Sequence, residues 1–317
     1  MKKLLLPKRP LGRTRLNCSV LSLGGAQFAQ LNEETTTKII QTALENGINL
    51  IDTSPLYGDG ESERKIGLSL AKWYKNGGSR SDFILCTKTG TRDRPYNYSA
   101  EATKRSIYQS IKSLKTDYLD IVHIHDPENL SDTLKSNGAL SALQELKKEG
   151  IVHHIGLGVR NHDLHLEFHE TNQCEVSLTY RDYNLLNNSA DLRLLPSALK
   201  HNVGIINAQV VRHGLLSTTN PNEIKLKWSK VPGFKFGEIS HIENTEVEKA
   251  SKLWEWCLER NTNLMSINFR YCLNHPTIST LLLGMSSPKE VIENISAMIT
   301  PIEESLMQEL EKDFTLP

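Results

Sequence analysis

Eight short apolar runs, alternating with stretches of helical periodicity, constrain this chain more than any single residue does. The runs fall at 21–28, 48–52, 83–88, 119–125, 151–158, 175–180, 203–209 and 278–284. Between them, 33–46 places Ile39, Ile40, Ala43 and Leu44 on one helical face, and 100–115 does the same with Ile107, Ile111 and Leu114. A third stretch, 139–149, ends in KKEG, the basic residues and glycine that a helix C-terminus prefers. Such alternation implies a parallel sheet with right-handed crossovers. The first strand is not followed by G-x-G-x-x-G, which disfavours an open doubly wound sheet. The prediction is therefore an α/β fold, a (β/α)8 TIM barrel. One barrel commonly needs about 250 residues, so 1–317 is expected to be a single domain. Residues 1–20 precede the first barrel strand and are expected to form a short hairpin closing the barrel bottom.

Four polar residues sit where these strands end. INLID (48–52) delivers Asp52 and runs into TSPLYG (53–58), which carries Tyr57. FILCTK (83–88) ends on Lys88, and LDIVHIH (119–125) ends on His125. In a barrel all four meet at the C-terminal rim, where barrel enzymes keep their chemistry. A tyrosine hydroxyl is a weak acid, with an ordinary pKa of about 10. A lysine ammonium beside it favours the phenolate, and an aspartate keeps that lysine charged. A histidine can then hydrogen-bond the substrate oxygen and orient it. Such a site gives a proton to a carbonyl or takes one from an alcohol, which suits hydride transfer at the adjacent carbon. Singly, each residue reads as structural, Asp52 as a turn cap and Lys88 as a partner for any carboxylate. Together at four strand ends, they read as a catalytic set.

With these residues in view, the chain resembles the aldo-keto reductase family over nearly its whole length. LSLGGAQF (21–28), GINLIDTSPLYGDGESERKIG (47–67), TKTG (87–90), DYLDIVHIHDPE (117–128) and LLGMSSPKEVIEN (282–294) carry the likeness. The second and fourth are the specific ones. The resemblance implies a barrel that binds a nicotinamide cofactor in extended form. It also implies Tyr57 as general acid/base, with Lys88, Asp52 and His125 as its supports. Cofactor contacts carried over with it are Gly25, Ala26 and Asp52 near the first two strands, and Val211 and Gly214 after the seventh. Gly284, Met285, Ser286, Glu290, Glu293 and Asn294 would line the adenine end.

Departures from the family pattern carry information too. The usual Ser-Asn after the fifth strand falls on Gly158 and Val159, and the usual glutamine ending the sixth strand on Tyr180. The stacking tyrosine after the seventh falls on Ala208, followed by Gln209. The nicotinamide pocket is thus expected to be rebuilt, with Tyr180 stacking and Gln209 or Asn207 bonding the amide. At the adenine end, the lysine and arginine that commonly bind a 2′-phosphate fall on Gly284 and Glu290, which points to NAD over NADP; Lys289 is the complication. IGLGVRNHD, TYRDYNLLNNSADL and HDPE most resemble the sugar-dehydrogenase branch, which includes L-galactose, L-fucose and D-threo-aldose 1-dehydrogenases. A sugar substrate is expected, with Arg92, Arg94, His123, Arg181 and Arg212 as candidate donors to its hydroxyls. A general aldehyde or ketone reductase of the same fold is the alternative, and a non-enzymatic binding subunit a third class.

Bulk properties add exclusions. Lys plus Arg and Asp plus Glu number 37 each, so no global field points to nucleic acid or an anionic membrane. No apolar stretch approaches the roughly 18 residues of a membrane span. The five cysteines form no C-x-x-C pair and read as buried, reduced thiols, so a cytoplasmic protein is expected. The H-x-H of His123 and His125, with His153 and His154 on the next strand, is weighed as a zinc cluster and set aside. His162, His165 and His169 are expected on a solvated or half-buried helix face. Two long connections, 90–100 and 214–244, hold Tyr96, Tyr98, Trp228, Phe234 and Phe236 and are expected to cover the rim.

Overall fold

The computed structural model describes residues 6–230 and 242–314 of the chain. Phe234 and Phe236 lie outside the described residues. A short antiparallel hairpin, β1 (Lys8–Pro10) and β2 (Asn17–Ser19), comes first. Eight parallel strands then close a barrel: β3 (Leu21–Gly24), β4 (Leu50–Asp52), β5 (Ile84–Thr89), β6 (Leu119–His125), β7 (Val152–Gly158), β8 (Val176–Tyr180), β9 (Gly204–Ala208) and β10 (Ile278–Gly284). They pair in chain order, and β10 returns to β3 through Leu281↔Leu21 to Gly284↔Gly24. The barrel fold predicted from the alternation is the fold observed.

Helices fill the crossovers: α1 (Glu33–Glu45), α2 (Glu61–Lys75), α3 (Ala100–Leu114), α4 (Ser131–Leu134), α5 (Ala139–Lys148), α6 (His162–Glu170) and α7 (Leu194–His201). α8 (Pro221–Ser229), α9 (Asn244–Glu259), α10 (Leu264–Asn274), α11 (Pro288–Ile299) and α12 (Glu304–Asp313) complete the shell. Their ends follow from local chemistry. Asn32 caps α1 by accepting the Thr35 amide, and Ser99 caps α3 through the Ala102 amide. The stripe Ile39, Ile40, Ala43 and Leu44 is buried, as its spacing predicts. None of the described helices is long and apolar enough to cross a membrane. The connection read as a loop at 214–244 instead holds α8, which packs with α9, α10 and α12 in a separate apolar cluster around Leu215, Leu253 and Met307.

Two apolar layers hold the barrel. Alternate strand residues point outward to the helices, while Leu50, Ile84, Cys86, Ile121, Leu178 and Ile206 fill the interior. The hairpin closes the bottom by burying Leu11 against β9. The approach is tight: Gly12 has a left-handed φ of 51°, and a Cβ there would fall 2.2 Å from the Gly204 amide nitrogen. All five cysteines are free and buried.

Candidate active site

The barrel's C-terminal rim holds a cavity of about 300 Å³. Asp52, Tyr57, Lys88 and His125 all open onto it, so closure brings together the four residues singled out at strand ends. Gly24, Gly25, Ala26, Tyr180, Ala208, Gln209 and Gly284 form more of its wall.

Lys88 is 1% exposed and ties the set together. Its Nζ donates to Asp52 Oδ2 at 2.5 Å and to the Thr53 carbonyl at 2.8 Å, and lies 5.0 Å from the Tyr57 ring centre. Burial works against the ammonium, but the Asp52 carboxylate, by its charge and its hydrogen bond, leads the interactions that outweigh it and hold the Lys88 pKa above its ordinary value. For Tyr57 the balance is the reverse. Burial raises the phenol pKa, and the Lys88 charge that opposes it recovers only part of the shift. The expected net depression is thus absent in the protein alone, where the low-dielectric wall dominates and Asp52 adds to the upward push.

The rings of His125 and Tyr57 are perpendicular, with centroids 6.1 Å apart. The hydroxyls of Ser54 and Thr91 converge on Nδ1 at 3.2 and 3.0 Å. Both can donate to Nδ1, and the Asp126 carboxylate, 3.5 Å from Nε2, can only accept, so the ring hydrogen is assigned to Nε2. Burial, followed by the Lys88 charge, holds the His125 pKa well below its ordinary value, so the imidazole is neutral. A neutral Nε2–H beside a phenol is a hydrogen-bonding pair for one oxygen, with no fixed charge placed on it.

Of the five candidate donors to a substrate, the structure leaves only Arg181 on the cavity wall. Arg92 instead donates to the fully buried Glu63 at 2.9 Å and to Ser110 at 2.8 Å, locking α2 to α3. Arg212 forms a two-pronged pair with Glu246 at 2.6 and 2.7 Å, pinning the loop after β9 to α9. Arg94 donates to the Thr91 carbonyl and lies over Tyr96. His123 faces the barrel interior below the cavity and is fully buried, against Gly156, where a Cβ would come within 2.5 Å of its Nδ1.

Cofactor candidates divide the same way. Asn207 points outward and gives its amide to the Tyr183 carbonyl at 2.8 Å, so only Gln209 of that pair reaches the cavity. Val211 and Met285 pack in the outer core, and Gly214 turns with a φ of 96° near Ile224. Ser286 is tied to Glu290, whose carboxylate accepts its amide at 2.8 Å and its hydroxyl at 2.6 Å. Glu293 pairs with Lys289 at 3.3 Å on α11, beside half-buried Asn294. The cavity wall runs from Tyr180 and Gln209 to Gly284, and small residues (Gly24, Gly25, Ala26, Ala208) leave room along it.

The three histidines expected on a solvated or half-buried helix face divide, and His162 is half-buried. His165 and His169 are fully buried, because α6 turns them onto β8. His165 bonds the Val159 carbonyl at 2.8 Å and Ser177 at 2.9 Å, and His169 bonds Ser177 and Ser197, each at 2.9 Å. His153 stacks on Tyr118, and His154 pairs with Glu175 at 2.7 Å, well apart from His123 in role. Asp126, within DYLDIVHIHDPE but not among the expected site residues, also lines the cavity. An acidic residue directly after a strand-ending histidine was the available signal.

The aldo/keto reductase family profile matches residues 20–312. The chain belongs to the aldo-keto reductase family. It is 33% identical over 303 residues to an L-galactose dehydrogenase of Arabidopsis thaliana, covering 93% of this chain and 88% of that protein. It is 31% identical over 297 residues to a D-arabinose 1-dehydrogenase of Saccharomyces cerevisiae, covering 86% and 81%. The holo form of an aldo-keto reductase from Bacillus halodurans superposes with a TM-score of 0.79 at 26% identity, covering 97% and 96%. This aldo-keto reductase is therefore an oxidoreductase, of a family that uses a nicotinamide cofactor.

Proposed function

We propose that this aldo-keto reductase oxidises an aldose at its anomeric carbon to the lactone, with NAD preferred over NADP. The observation that carries the reading is the single cavity shared by Tyr57, the neutral His125 and the Asp126 carboxylate. Its wall thus offers donors and acceptors to more than one substrate oxygen, which a simple carbonyl does not supply. The sugar-dehydrogenase relatives point the same way. When bound, the nicotinamide ring supplies the hydride acceptor. Tyr57, with Lys88 and Asp52 behind it, takes the hydroxyl proton as the carbon–oxygen bond gains double-bond character. His125 Nε2 holds that oxygen in place. In this reading Tyr180 would stack on the nicotinamide ring and Gln209 would bond its amide, and Glu293 with Asn294 would hold the adenine amine.

The cofactor preference rests on Glu290. Its carboxylate already accepts both the amide and the hydroxyl of Ser286, the donors a 2′-phosphate would need at that turn. A phosphate of charge near −2 is repelled there, whereas a ribose hydroxyl can donate to the carboxylate. Lys289 turns to Glu293 and is largely exposed. A lost charge-assisted bond costs about 1.5–3 kcal/mol, or roughly one to two decades in affinity.

The test is a panel of aldoses and inositols with each cofactor, read by formation of reduced nicotinamide. At least one aldose should support turnover, faster with NAD. If no aldose does while simple aldehydes are reduced well, the protein is a general carbonyl reductase instead.

A further inference from the structure

We propose that Asp126 is a substrate-contacting residue that accepts a hydrogen bond from the hydroxyl on the carbon next to the reacting one. The site would then select 1,2-diols and α-hydroxy carbonyls over simple carbonyls. The inference deepens the reading above and rests on its placing of the reacting oxygen at Tyr57 and His125.

Asp126 follows β6 directly and takes a left-handed φ of 42°, a conformation that costs an L residue about 1 kcal/mol or more. Three restraints from other segments hold it there. Its amide donates to the Gly158 carbonyl at 2.9 Å. The Tyr98 hydroxyl reaches over from the 90–99 connection to its carbonyl at 3.0 Å and to that of His125 at 2.8 Å. Glycine would meet this backbone at no cost. With an aspartate instead, the bend turns a carboxylate toward the cavity, which it lines beside Tyr57 and Lys88.

The geometry supplies the rest. Asp126 Oδ2 lies 3.5 Å from His125 Nε2, the ring atom left for substrate once Ser54 and Thr91 hold Nδ1. An oxygen bound at Nε2 therefore has the carboxylate beside it, within reach of an oxygen on the adjacent carbon. An ionised carboxylate only accepts, so the matching substrate group is a hydroxyl. Tyr180 lines the same cavity wall, and a carboxylate with two oxygens has acceptor capacity for a substrate hydroxyl. A substrate without the neighbouring hydroxyl would cover a half-buried charge with carbon, the kind of unpaired group that discriminates strongly between analogues.

The experiment compares matched substrates in wild type, Asp126→Asn and Asp126→Gly. The pairs are an aldose with its 2-deoxy counterpart in oxidation, and glycolaldehyde with acetaldehyde in reduction. Asp126→Gly removes the carboxylate without straining the backbone, and Asp126→Asn keeps the side-chain shape. Wild-type kcat/KM should favour the hydroxylated member by about ten- to a hundredfold. Asp126→Gly should bring that ratio to within about threefold of unity, the loss falling mainly on the hydroxylated member; Asp126→Asn should fall between. Equal losses on both members, or an unchanged ratio in Asp126→Gly, would overturn the assignment and make Asp126 a structural residue. The aldehyde pair keeps the two readings apart. If aldoses fail but glycolaldehyde retains its Asp126-dependent advantage, the aldose reading falls and this one stands.

Discussion

Burial and the Lys88 charge pull the Tyr57 phenol in opposite directions, and burial prevails. The protein alone therefore holds the protonated acid at neutral pH. Oxidation needs the phenolate, so its rate should climb as pH rises above neutral, while reduction needs the phenol and should stay flat there and fall only in alkali. Rate profiles in the two directions check this; an oxidation rate that falls between about pH 7 and 9 would contradict it. Asp52→Asn should be milder on turnover than loss of the tyrosine, because Lys88 keeps its bond to the Thr53 carbonyl. It should still lower stability by about 3 kcal/mol, since a buried ammonium loses its counter-charge. Urea unfolding would measure that cost, and a variant as stable as wild type would mean the pair is not ionised.

Elements carry the next two predictions. At the start of α11, Glu290→Arg removes the carboxylate that occupies Ser286 and adds a phosphate partner. NADP affinity should rise by at least about tenfold, and titration with both cofactors would show it. A wild type that already favours NADP tenfold would mean that Lys289 or another loop binds the phosphate. Where α6 docks on β8, burial lowers the pKa of His165 to about 3 and of His169 to about 4. Both are neutral when folded but charge near 6.5 when unfolded, so the unfolded state binds more protons between those limits. Stability should accordingly be full above pH 6.5 and drain away as pH falls, by about 2 kcal/mol per histidine between pH 7 and 5. His169→Gln should lose less over the same range than wild type; an identical pH dependence would argue against the assignment. Neither histidine's burial was legible beforehand. Their spacing marks a helix face, but which face meets β8 is decided by the partner surface, where Ser177 offers a hydroxyl to both rings.

At the scale of the whole molecule, the barrel was legible because every apolar run repeats one rule, a buried parallel strand followed by a helix. The four strand-end residues were legible for the same reason: once the strands close, their ends share one rim. What escaped were contacts set by folding rather than by pattern. Arg92 looks like a donor to substrate in sequence, because nothing there marks Glu63 on α2 as its buried partner. Asp126 gave little sign of facing inward, since its direction depends on a bend held by Tyr98 and Gly158. The helix α8 was hidden in a stretch read as loop. With the barrel closed, Tyr57 is the proposed proton donor and acceptor for hydride transfer. The decisive measurement is kcat of Tyr57→Phe alongside its cofactor dissociation constant. Turnover should fall by about a hundredfold or more, with cofactor affinity nearly unchanged; near-normal turnover in that variant would mean that another group moves the proton.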